Sequence, residues 1–262
     1  MKLKKTYKII TLVMCIAVIG FIFSGCGAIS VGNGEYEEKK YTTEKTVDKI
    51  VVDNYRTDTI FSVSPDDKFH ITCYENKKFK FEITESDNGV LNIDQAEIKQ
   101  ISIFELPSEN QKVLIEVPAT FQGDIEGSFG RVKLLIDGIK TNNIKIESSR
   151  GEIKFNQVQA TGNIDINGYR ASISLLDTKS ENEILVISER GDIDFENLEV
   201  GMQLHIENYR GDISGNVKGL ISDYSITSKI RRGESNLPSR MLNDRKTMYI
   251  ENSRGDINVN FD

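Results

Sequence analysis

Six arginines recur beside a glycine or its small replacement: Arg150, Arg170, Arg190, Arg210, Arg232 and Arg254. A regular row of guanidiniums can grip a polyanion, because each planar fork presents paired N–H donors to carboxylate or phosphate. The acids alongside suggest a simpler expectation. Glu147, Glu207 and Glu251 stand on one side, and Glu152, Asp192, Asp212, Glu234 and Asp256 on the other. These charges are expected to form a mutually neutralising ribbon, with a ligand strip as the alternative. Exposed pairs of this kind contribute only ~0–1 kcal/mol each. Arg-Gly-Asp occurs at 190–192, 210–212 and 254–256. An integrin ligand carries that triplet on a protruding loop. Here each copy runs directly into an apolar run at Ile193, Ile213 or Ile257, so it reads as a turn whose glycine supplies backbone freedom.

Other catalytic side chains are scarce. His70 and His205 are the only histidines, and neither has a cysteine or second histidine at metal-ligand spacing. No metal or cofactor is expected. Cys73 shares parity with Phe69 and Ile71 and reads as a core thiol. Phosphate-loop and nucleophile-elbow patterns are missing. Acids at alternating positions (Asp165, Asp194 and those named above) could in principle serve a β-helix lyase or hydrolase acting on cell-wall polysaccharide. Their recurrence with the repeat reads instead as a solvated ladder. The expectation is therefore no enzyme, with the glycan-active enzyme as the alternative. The 262 residues carry a net charge of −7, which argues against a nucleic-acid partner.

The elements that must position these residues form a repeat. Gly130, Gly151, Ala171, Gly191, Gly211, Gly233 and Gly255 recur at intervals of 20 to 22 residues. Two residues later stand Val132, Ile153, Ile173, Ile193, Ile213, Ser235 and Ile257. Five residues earlier stand Ile125, Ile146, Ile166, Val186, Ile206, Ser228 and Ile250. Polar residues alternate with them, so each unit carries two short strands meeting at the glycine. Two such strands cannot bury their apolar faces alone, but stacked copies can. The expected fold class is all-β: a parallel β-solenoid (β-helix) with 20–22-residue rungs over 121–262. Residues 46–120 are less regular and read as a β-rich N-terminal cap, with Val52–Thr57 an isolated early copy of the repeat. The unit containing Ser228, Ile230, Arg231 and Ser235 breaks the pattern, which predicts a distorted rung with a loop through 231–245.

The N-terminus carries an address. Four lysines within residues 1–8 precede an apolar run from Ile9 to Phe23, and Ser24-Gly25-Cys26 follows. The run is short for spanning a bilayer, which takes about 20 residues. This segment resembles the lipobox of bacterial lipoproteins, although Phe23 replaces the usual aliphatic residue. The resemblance implies a signal peptide at 1–25, cleavage before Cys26, and diacylglycerol on its sulfur. Cleavage would remove Lys2, Lys4, Lys5 and Lys8 and take the net charge to −11. Cys15 would leave with the signal, so Cys73 would have no disulfide partner. Residues 26–45 lack apolar periodicity and read as a flexible tether.

Three groups of residues together carry a further resemblance: Ile50-Val51-Val52 with Val63–Lys68, Val113–Pro118, and the Ser-x-Arg-Gly-Asp-Ile type repeats. Residues 46–261 resemble the bacterial adhesin-type β-strand-repeat family DUF4097. That resemblance implies a surface-exposed, non-enzymatic solenoid, in some members linked to envelope stress. The expected location is the extracytoplasmic face of the cell membrane, held by the lipid anchor. The expected partner is a cell-wall polymer or another envelope protein.

Overall fold

The computed structural model describes residues 36–76, 79–96, 112–241 and 245–262. The signal segment and the lipobox cysteine Cys26 lie outside the described residues. Among the described residues the chain is all-β, with one short 3₁₀ turn at Ile221–Asp223, and it winds as a parallel β-solenoid.

Alternation builds the rungs. In Ile144–Asn156, Ile144, Ile146, Ser148, Ile153 and Phe155 are buried, and Lys145, Glu147 and Lys154 between them are exposed. Parallel pairing then lays each apolar residue on its equivalent. Ile144 pairs with Ile164, Ile164 with Ile184, and Ile184 with Leu204. On the next face Ile153, Ile173, Ile193 and Ile213 form a second column. β-Branched side chains suit such a pleated, fully covered surface.

Each full rung has a third, short side that the two-strand reading missed. It is built by Lys140–Thr141, Gln159–Ala160, Lys179–Ser180 and the end of Ile193–Val200. Ile139, Val158, Thr178 and Leu198 point inward from it. The turn onto this side needs a left-handed residue. Gly138, Gln157, Asp177 and Asn197 hold that position in successive rungs, with φ of 70°, 53°, 47° and 54°.

Among the described residues eight rungs stack, and their order departs from expectation at both ends. Lys49–Asn54 and Asp58–Val63 lie directly on Asp124–Asp137, paired in parallel. The stretch expected to be an isolated copy inside the cap is therefore rung 1, and solenoid pairing crosses the expected boundary at 120/121. Rungs 2 to 6 follow at 124–141, 144–160, 164–180, 183–200 and 203–217. The first unit is also shifted by two residues from the expected register. Gly151 lies opposite Val132, and Ile153 opposite Leu134. Asp124–Asp137 runs through the corner as one 14-residue strand, so no turn glycine marks its register. Gly130 is small for another reason: a Cβ there would sit 2.3 Å from the carbonyl oxygen of Tyr55.

At the far end the last two rungs are inverted. Lys246–Asn252 pairs with Gln203–Asn208 on one edge and with Tyr224–Ile230 on the other. Ile257–Phe261 pairs with Ile213–Val217. The C-terminal segment is thus rung 7, wedged inside the stack, and the earlier segment 224–237 is rung 8, the outermost. The expected distortion in this unit is a terminal rung that folds back on itself. Arg240 bridges antiparallel to Ile226, and Ser239 Oγ donates to the Ser228 carbonyl at 3.0 Å.

The insertion after rung 1 covers the opposite end. Val90–Gln95 and Lys112–Val117 extend the two faces in parallel. Antiparallel strands then close them: Phe81–Glu85 on one face, Phe69–Glu75 and Glu37–Thr43 on the other. Edge strands invite further pairing, and the outermost one here, Glu37–Thr43, carries two glutamates and two lysines. Cys73 is buried here, 1% exposed, and burial pushes its thiol up to about 12.

Candidate functional site: an arginine column on one corner

The corner between the first two faces is shaped by backbone demands. Gly191, Gly211, Gly233 and Gly255 have φ between 128° and 136°. A Cβ on Gly211 would lie 2.3 Å from the carbonyl oxygen of Gly191, so the neighbouring rung leaves no room for a side chain there. Asparagine closes the turn where it is available. Asn208 Oδ1 accepts the Arg210 N–H at 3.3 Å, and its Nδ2 donates to the Gly191 carbonyl at 2.9 Å. Asn252 does the same with Arg254 and Gly211, at 3.2 and 2.8 Å.

Backbone bonds set the arginines one above another. The Gly151, Gly191, Gly211 and Gly255 amides donate to the carbonyls of Arg170, Arg210, Arg254 and Arg232, at 3.0 to 3.2 Å. Arg150 lies opposite Arg131, and the Arg131 amide donates to Tyr55. From end to end the column reads Arg56, Arg131, Arg150, Arg170, Arg190, Arg210, Arg254, Arg232. All six expected residues are in it, with the last two exchanged by the rung inversion. Sequence reasoning missed Arg56 and Arg131. Arg56 had a signal, the Tyr-Arg pair it shares with 169–170 and 209–210. Arg131 was hidden by the register shift. At about 4.8 Å per rung, the seven steps span roughly 34 Å.

The expected ion-pair ribbon is absent. Among the described residues, no column arginine has a carboxylate oxygen within 4.0 Å. The acids are engaged elsewhere. Glu147 pairs with Lys145 at 3.3 Å, Glu152 with Lys154 at 2.7 Å, and Glu207 with His205 at 2.7 Å. Glu251 accepts the Tyr249 hydroxyl. Asp192, Asp212 and Asp256 each accept, at 2.9 Å, the N–H of the equivalent residue one rung on: Asp212, Asp256 and Glu234. The aspartate of each Arg-Gly-Asp triplet therefore splices neighbouring rungs. Asp194 accepts the Ser214 hydroxyl at 2.5 Å. These acids do not converge on a common centre. Among the described residues, no group of three or more His, Cys, Asp or Glu could hold a metal ion.

The arginines find tyrosine instead. The Arg170 guanidinium lies 5.3 Å from the ring centroid of Tyr169, Arg254 lies 5.8 Å from that of Tyr209, and Arg56 lies 5.8 Å from that of Tyr55. These rings remain about half exposed, at 46%, 46% and 51%. Neighbouring guanidiniums at rung spacing repel by up to ~1 kcal/mol per pair in water.

A family model described as Toastrack DUF4097 matches residues 47–262. No curated protein matches the chain. Solved structures are similar at low identity. A putative adhesin from Bacteroides fragilis is 16% identical with a TM-score of 0.53, covering 84% of this chain and 96% of that one. A putative adhesin from Parabacteroides distasonis is 13% identical with a TM-score of 0.49, covering 87% and 98%. A putative cell adhesion protein from Clostridium sporogenes is 14% identical with a TM-score of 0.43, covering 86% and 100%.

Proposed function

The chain belongs to the Toastrack DUF4097 family, and on that footing we propose that it is a lipid-anchored binding module at the outer face of the membrane. In this reading Cys26 carries the lipid, and the arginine column holds a linear anionic polymer of the envelope; the tether expected over 26–45 is shortened, because Glu37–Thr43 is a strand of the cap paired with Phe69–Glu75. The observation that carries it is the column itself: eight arginines in a row, none of which has a carboxylate partner among the described residues. The acids splice rungs or pair with lysine and histidine, which supports binding rather than turnover.

Two experiments test this. Arg190→Gln with Arg210→Gln removes the middle of the column. The variant should bind polyphosphate or isolated cell wall far more weakly. Wild-type binding should fall steeply with salt, since exposed charges are screened over ~10 Å at 0.1 M. Its melting temperature should hold or rise, because like charges are removed and no ion pair is lost. Unchanged, salt-insensitive binding in the double variant rejects the column as the working surface. The anchor is tested separately: Cys26→Ala should stay unprocessed and unlabelled by fatty-acid probes, and normal labelling would remove the lipid from the reading.

A further inference from the structure

We propose that the polymer held by the column is an acidic polysaccharide, with sugar rings stacked on Tyr169 and Tyr209 and its carboxylates on the arginines between and beside them. This rests on the binding reading above and adds the ligand's chemistry.

The argument comes from the residue that precedes arginine in each rung. Going along the middle of the column it is Tyr169, Glu189 and Tyr209. The two tyrosines are therefore two rungs apart, about 10 Å. Both rings are 46% exposed, far more than packing of the corner requires. An aromatic face of this kind takes the apolar face of another ring. An extended polysaccharide advances by close to one rung spacing per sugar, so alternate sugars would fall on the two tyrosines.

Glu189 lies between them. It is exposed, and among the described residues its carboxylate has no ion-pair or hydrogen-bond partner. A carboxylate in the middle of a cationic row opposes a ligand with a charge on every unit. It suits one whose charges are spaced out and whose intervening groups are hydroxyl donors. Polyphosphate and phospholipid headgroups offer neither a ring for the tyrosines nor a row of hydroxyls for Glu189. Single-stranded nucleic acid has rings that stack on aromatic residues, but every linkage brings a phosphate past Glu189. A glycan in which uronate alternates with a neutral sugar has the ring face, the hydroxyls and the spaced carboxylates together.

The test uses full-length protein in detergent, with hyaluronate (a uronate on alternate sugars), polyphosphate, dextran and an oligothymidylate as probes. Wild type should bind hyaluronate in preference to the other three. Tyr169→Ala with Tyr209→Ala should lose about tenfold or more on hyaluronate and little on polyphosphate. Tyr169→Phe with Tyr209→Phe keeps the rings and should retain binding, which separates stacking from folding. Arg190→Gln with Arg210→Gln should weaken all three charged probes. If the arginine variant loses binding while the tyrosine-to-alanine variant keeps hyaluronate, the glycan inference fails and the column survives. If the arginine variant binds hyaluronate and polyphosphate as wild type does, the underlying reading fails. Tighter binding of the oligothymidylate, or equal binding of dextran, also overturns the glycan.

Discussion

Gln157 sits at φ 53° with no glycine's freedom to excuse it, in the position that rung 2 gives to Gly138. A non-glycine residue there costs roughly 1–2 kcal/mol. Asp177 and Asn197 offset the cost in part, since Asn197 Nδ2 donates to Asp177 Oδ1 at 2.8 Å; Gln157 is exposed at the corner. Gln157→Gly should therefore stabilise the fold by about 0.5–1 kcal/mol after the unfolded chain's gain in freedom is counted. A lower melting temperature would show that the corner is not strained. The same reasoning at the other corner runs in reverse. Glycine there is demanded by the neighbouring carbonyl as well as by φ, which explains why the glycine period was readable from the sequence.

A strand in this fold is one of a stack, and its two faces have unequal value. Ile193 is fully buried between Ile173 and Ile213, whereas Asp194 is exposed. Ile193→Asp should cost several kcal/mol, because it buries a charge without a partner. Asp194→Ala should cost about 0.5 kcal/mol or less. Denaturant unfolding decides it, and equal losses would refute the assigned faces. The alternation of Ile, Val and Leu made these columns legible in advance. Two things at the same scale were not. The register of rung 2 was obscured because its strand continues through the corner, so Gly130 was read as a turn when it serves contact with Tyr55. The ion-pair ribbon looked compelling because acids and arginines are close in sequence. Strand geometry separates them: Glu152 shares its face with Lys154, and Asp212 turns along the stack to a backbone amide.

Across the whole molecule, the repeat predicts stacking but not the order of the stack, since a unit looks the same whichever neighbour it meets. The trace that did exist was degeneracy. Rung 8, with Ser228 and Ser235 at apolar positions, has a rung on one side only and so is under less demand to be apolar. Removing residues 246–262 tests the inversion directly. It takes away rung 7, leaving Tyr224–Ile230 without the strand it pairs with. Limited proteolysis of that shortened chain should cut first within 219–241 while rungs 1 to 6 resist. Protection of 224–240 equal to that in the full chain would mean that rung 8 docks independently.

The wedged position of rung 7 bears on how the protein is made. Synthesis proceeds from the N-terminus, and rungs 1 to 6 can be laid down as they emerge. Rung 8 cannot be placed next, because its seat does not exist until residues 246–261 have emerged and have settled on rung 6. Closure of the stack is thereby conditional on rung 7. A chain stopped before residue 246 keeps a raw, unsealed end.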